Sequence, residues 1–163
     1  VLKREYDLRA GESVVATLRW DKAFGSLATA VTGEGSWTFK RAGFLSPSVT
    51  VRMAGAETDL ASLKARWRGD GTLEFADGRR YRWTHAGFWH TEWCFANESG
   101  DPLMRLKPKF ALAGHAAEVT IEPAAASNPD LSLLLSLAWY LVVLMSQDAG
   151  GATAAAAAAA SAG

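Results

Sequence analysis

From Glu5 to about Glu122 the chain alternates apolar and polar residues in short runs, and no convincing helical period appears before Asn128. The runs "YDLR", "SVVATLRW", "SLATAVT", "SWTFKR", "SVTVRM", "SLKARWR", "TLEFA", "RYRWTH", "TEWCFA", "LMRLK" and "AEVTIE" read as strands rich in Val, Thr, Trp, Phe and Tyr. Gly, Pro and Asp separate them at intervals of about 8–12 residues, the spacing of an antiparallel sandwich or barrel. Only "ETDLASLKARW" allows one helical turn, at its start.

The stretch from Ala65 to Thr84, "ARWRGDGTLEFADGRRYRWT", predicts a three-stranded meander with three-residue loops at Gly69-Asp70-Gly71 and Ala76-Asp77-Gly78. Odd loop lengths keep Trp67, Leu73, Phe75, Tyr81 and Trp83 on one face. A two-residue Asp77-Gly78 turn would set Phe75 opposite Arg80 and mix the faces. The other face then carries Lys64, Arg66, Arg68, Arg80 and Arg82, with Thr72 and Glu74 between them. Glu74 is expected to pair with a cross-strand arginine.

After Ile121 the pattern changes. "EPAAASNPD" is a loop ending in helix-start chemistry, with Asn128 as N-cap, Pro129 at N1 and Asp130 in the first turn. A helix over about 129–149 follows, stopped by Gly150-Gly151. The Gly/Ala-rich remainder, 150–163, has little surface to bury and is expected to fray, leaving 1–149 as the folded domain.

Three states compete for Leu131–Ser146. A transmembrane tail anchor would need about 30 Å of helix, and sixteen residues supply roughly 24 Å. It would also need flanking cations, yet 111–130 holds no Lys or Arg, none follows Met145, and Asp148 stands where one would be expected. An interfacial helix needs a charged face, and here Ser132, Ser136, Tyr140 and Ser146 form only a hydroxyl stripe. A helix that is apolar all round belongs inside protein or lipid, and a sheet of about ten to twelve strands can enclose one. The expected state is the buried one, with the serines bonded back to their own helix and Tyr140 bonded near a barrel mouth.

Many short antiparallel strands followed by "PDLSLLLSLAWYLVVLMSQD" and an Ala-rich tail resemble the Tubby-like C-terminal superfamily. It includes Tubby proteins, phospholipid scramblases and plant LURP-one-related proteins, and the match is most similar to its bacterial-type members. The resemblance implies a closed antiparallel barrel, commonly of twelve strands, around the C-terminal helix. It also implies lipid chemistry, because Tubby domains bind phosphoinositides through basic surface residues and scramblases are associated with lipid movement and calcium. The plant branch is linked to defence. No headgroup motif aligns residue by residue, so no family site is carried over, and no loop has EF-hand spacing.

Composition narrows the functional classes. Seventeen Lys+Arg balance seventeen Asp+Glu, which argues against a general nucleic-acid binder. A single cysteine, Cys94, excludes an internal disulfide. "VLKREYDLRAGES" has no apolar core, so no secretory signal is expected there, and the expected location is cytoplasmic with at most peripheral membrane contact.

The stripe Lys64, Arg66, Arg68, Arg80 and Arg82 is the leading binding candidate, because guanidinium groups at alternate strand positions suit a phosphate or anionic headgroup. Arg105, Lys107 and Lys109 form a second stripe, and Lys40-Arg41 adds less because neighbours point opposite ways. His85, His90, Glu92, Cys94 and His115 are the only metal or nucleophile set; they fall short of a site, so no metal, cofactor or catalytic residue is expected. "GFWHTEW" is expected to place its tryptophans as a cap on the barrel, against a ligand-stacking or membrane-dipping role, and "GEG" and "GDG" read as turns. The expected function is a non-enzymatic binding or scaffold domain for anionic lipid headgroups or a protein partner at a membrane face. A tail-anchored protein with a soluble β-domain is the runner-up, and a small hydrolase or metalloenzyme comes third.

Overall fold

A computed structural model describes residues 4–22, 25–43, 45–66, 69–86, 91–110 and 115–161. Eleven strands form one antiparallel sheet in simple chain order: β1 (Arg4–Ala10), β2 (Ser13–Trp20), β3 (Ala28–Thr32), β4 (Ser36–Ala42), β5 (Ser48–Met53), β6 (Ala61–Ala65), β7 (Gly71–Phe75), β8 (Arg80–Ala86), β9 (Glu92–Ala96), β10 (Pro102–Phe110) and β11 (His115–Ile121). A 3-10 turn (Pro123–Ala125) leads to one helix, α1 (Leu131–Ser161). Each run read as a strand overlaps one of these strands. The segment before β6 forms turns and bends without the helical turn that "ETDLASLKARW" allowed.

The sheet curls around α1. Ten inter-strand gaps of about 4.8 Å would make a flat sheet roughly 48 Å wide. A helix about 10 Å across could not then reach both β2–β4 and β9–β10, yet α1 packs against all of them. Every residue from Leu133 to Leu144 is buried, and Trp20, Phe39, Leu63, Leu73, Trp83, Phe95 and Leu106 close over the helix from the strands. By length and composition Leu131–Gly150 could cross a membrane, but two thirds of that window lies inside the protein (67%). Its apolarity is accounted for by the sheet.

The expected closure into a barrel is not made by hydrogen bonds, since the ladder runs from β1 to β11 without joining them. The inward residues of the two edge strands, Tyr6, Leu8, Ala117 and Val119, are accordingly only half-buried against the core.

Local chemistry sets the turns. The loop Ala76-Asp77-Gly78 forms as expected: Glu74 pairs with Arg80, Leu73 with Tyr81, and Gly78 takes φ 93°, the left-handed conformation glycine tolerates. The expected loop at Gly69-Asp70-Gly71 does not form. The ladder pairs Ala65 with Gly71, so the turn lies within 66–70, as long as that between Glu74 and Arg80 and closed in the same way, by the Arg66 N–H on the Asp70 carbonyl (2.5 Å); it is centred two residues earlier than expected. A Cβ at Gly71 would come within 2.7 Å of the Lys64 carbonyl, so only glycine permits this close pairing. The length is still odd, which keeps Leu63 opposite Leu73 on the inner face. Trp67 and Arg68 lie outside the described residues.

Two expectations about the helix change. Asn128 Oδ1 accepts the Asp130 N–H (2.8 Å), and the first intrahelical bond runs from the Leu134 N–H to the Asp130 carbonyl. Asn128 therefore shapes the turn before the helix, and Pro129 and Asp130 precede its first residue, Leu131. Gly150-Gly151 does not stop it either: α1 continues to Ser161. Extending a formed helix avoids the nucleation cost, and alanine's propensity offsets the roughly 1 kcal/mol lost at each glycine.

Two variants test this arrangement. Leu137→Ala removes a fully buried side chain and should cost about 2–5 kcal/mol in chemical denaturation. Removing residues 129–163 should abolish the cooperative thermal transition, whereas a truncated chain that melts like the full one would show that the sheet does not need α1.

Candidate functional site

The outward face of β6–β8 carries the expected basic stripe, and the register arranges it in rows. Lys64, Thr72 and Arg82 lie side by side, as do Ser62, Glu74 and Arg80. Arg66 begins the connection to β7 and stands beside Asp70. Two adjoining open grooves result. One, of about 370 Å³, is lined by Arg66, Asp70, Gly71, Thr72, Arg82 and Thr84. The other, of about 330 Å³, is lined by Thr72, Arg80, Arg82 and Glu98.

The cations differ in their freedom. Arg80 meets Glu74 at 3.4 Å, an exposed pair worth a few tenths to about 1 kcal/mol. Arg82 donates to the Glu98 carbonyl at 3.4 Å, a long bond that holds it weakly. Lys64 and Arg66 have no ion pair among the described residues. Asp70 Oδ1 is buried with no hydrogen-bond donor among the described residues. The first groove thus offers two guanidinium groups and two hydroxyls beside the Asp70 carboxylate. That set suits a phosphate. Arg68 lies outside the described residues.

The second stripe is not similarly free. Arg105 lies 3.1 Å from Glu122, and Lys109 meets Glu118 at 2.9 Å, holding that carboxyl below its ordinary range. Glu118 on β11 and Glu122 just after it answer Lys109 and Arg105 of β10.

Among the described residues the metal or nucleophile set does not come together. His85 lies against the Trp93 ring at 3.7 Å between centroids, on the face that Trp83 and Trp93 share, while Cys94 and Glu92 alternate to the other face. Burial pushes the Cys94 thiol up, away from the reactive thiolate. His115 opens β11 opposite Phe110, and His90 lies outside the described residues. Among the described residues no group of three His, Cys, Asp or Glu could hold a metal ion. Of "GFWHTEW", Gly87 to His90 lie outside the described residues; Trp93 stacks on Trp83 at 5.0 Å, inside the sheet.

Sequence reasoning missed the groups that fix α1 at its ends. At the start, Arg79 and the Tyr81 hydroxyl both bond Asp130, and Ser132 donates to Glu34 at 2.6 Å. At the other end Arg41 forks onto Asp148 at 2.5 and 3.1 Å. Arg41 follows Trp37 and Phe39 on the inward phase of β4, and an arginine at that phase was the legible signal. Beside the Arg41–Asp148 pair is a mouth cavity of about 200 Å³, with Trp83, Leu141, Leu144 and Met145 below and Arg66 at its rim.

Comparison of the chain with family models, curated proteins and solved structures finds no match.

Tyr140, stacked on Trp20, donates its hydroxyl to the Ser26 carbonyl at 2.5 Å, and burial pushes its pKa up to about 12 from 10.0. The unfolded chain releases this proton near pH 10 while the folded chain retains it. The stabilisation is therefore intact below pH 10 and lost between 10 and 12, at roughly 1.4 kcal/mol per pH unit. Denaturation across that range should show a slope shallower by this amount in Tyr140→Phe, and parallel curves would contradict it.

Proposed function

We propose that this chain is a non-enzymatic, Tubby-like binding domain that takes anionic lipid headgroups in the grooves of β6–β8 at a membrane surface. The observation that carries the reading is the placement of Arg66 and Arg82 around Thr72 and Thr84, with neither guanidinium in an ion pair among the described residues. Thr72 and Arg82 line both grooves, so one headgroup can be held by up to three arginines. Net charge over the whole chain is zero, so attraction must be local and should weaken with salt. The curled sheet around α1 supports the likeness to a Tubby-type barrel, with membrane contact peripheral because α1 is occupied as core. A protein partner in the same grooves is the competing occupant.

Sedimentation with phosphatidylcholine vesicles containing phosphatidylserine or a phosphoinositide tests this. Arg66→Glu with Arg82→Glu should reduce binding at least several-fold, whereas Arg9→Glu with Lys40→Glu, the same charge change elsewhere, should not. Equal binding by both double variants would remove the grooves from the function.

A further inference from the structure

On the inner face of β6–β8 the ladder sets side chains in rows. Leu63, Leu73 and Tyr81 fill one row, and the next, at the mouth from which α1 emerges, holds Ala65, Gly71 and Trp83. Close approach of the Lys64 carbonyl accounts for the glycine. With alanine opposite it, two of the three positions in the row carry almost no side chain, and the space is left open.

The helix supplies the facing wall. Leu141, Leu144, Met145 and Asp148 are spaced to share one side of α1, and all four line the mouth cavity of about 200 Å³. The charges around this cavity differ in their availability. Arg41 and Asp148 satisfy one another through two hydrogen bonds. Arg66, at the rim, has no ion pair among the described residues, and it lines both this cavity and the outer groove with Thr72 and Arg82.

The other described side chains of the wall are apolar or aromatic, the lining that takes hydrocarbon, while the free guanidinium at the rim suits an anion. An enclosed apolar cavity of about 150 Å³ admits benzene, so a chain segment of roughly six to eight carbons fits this one.

We propose that the mouth cavity holds the alkyl chain of an amphiphile whose phosphate meets Arg66 at the rim, where cavity and outer groove share that side chain. The phosphate half of this site rests on the headgroup reading above, and the chain half rests on the cavity alone. Burial of the chain supplies affinity in proportion to its length, and Arg66 fixes which end faces water.

Titration calorimetry of the full chain with methyl, butyl, hexyl, octyl and decyl phosphate, each below its micelle concentration, reads the two halves separately. Affinity should rise roughly three- to fourfold for each added methylene and level off at about eight carbons, where the cavity is full. Ala65→Phe fills the open row from a position that lines the cavity and not the outer groove, so it should abolish the rise while methyl phosphate binds as before. Ala65→Met, more adaptable in a tight space, replaces it where phenylalanine lowers the thermal transition. Methyl phosphate binding with no gain from the chain would overturn the cavity as a site and leave the headgroup reading standing. A gain undiminished from octyl to decyl phosphate, or one that persists in folded Ala65→Phe, would put the chain on the outer surface and overturn the proposal. Hexanol and octanol binding with a gain per methylene, beside methyl phosphate that does not bind, would overturn the headgroup reading and keep the chain pocket. Binding of neither series would overturn both. With the phosphate series positive, sedimentation with phosphatidylserine vesicles separates two sources of the chain. Ala65→Phe sediments like the wild type for a free amphiphile, and several-fold less for a chain drawn from a bilayer lipid.

Discussion

The structure depends on one constraint: a helix apolar on every side must be covered on every side. A flat sheet covers one face of a helix, so the burial of Leu133 to Leu144 requires curvature, and curvature needs many strands. The strands need the helix equally, because Trp20, Phe39, Leu73 and Phe95 bury their side chains in the same cluster as α1. Polar groups at the two ends of the helix add directional contacts to this packing, with Asp130 held by Arg79 and Tyr81 at one and Asp148 held by Arg41 at the other. Ser136 meanwhile satisfies its hydroxyl on the Ser132 carbonyl, so the buried segment leaves that oxygen no demand on the sheet.

That inner packing also determines the outer face. Once Leu63, Leu73, Tyr81 and Trp83 point inward, the two-residue period sends Lys64, Thr72, Arg80 and Arg82 outward. Cross-strand pairing then decides which cations remain available. Carboxylates answer Arg80, Arg105 and Lys109, while Thr72, the residue opposite both Lys64 and Arg82, offers no charge. Grooves open where the register places small polar side chains between arginines.

Much of the fold was legible because period-2 alternation reports facing directly. The strands, the Ala76-Asp77-Gly78 loop and the buried helix all follow from local pattern. The register between β6 and β7 was less legible, because a turn centred two residues earlier than Gly69-Asp70-Gly71 has the same parity and gives the same hydrophobic faces. Closure was not legible either, since it depends on how the edges of β1 and β11 meet and no local residue encodes that. The helix pins were visible only in part. Arg41 was read as the neighbour of Lys40 when the informative relation was its phase with Trp37 and Phe39. Its partner lies 107 positions away.

The order of elements has a consequence for synthesis. All eleven strands precede α1, so on a ribosome the inner face of the sheet is made before the element that covers it. At the usual pace of translation the earliest strands wait on the order of ten seconds or more for their core. During that interval Trp20, Phe39 and Leu63 stand uncovered beside unpaired strand edges, the condition in which nascent chains associate with one another. Such a chain makes a demand on chaperones in proportion to how late its last helix emerges.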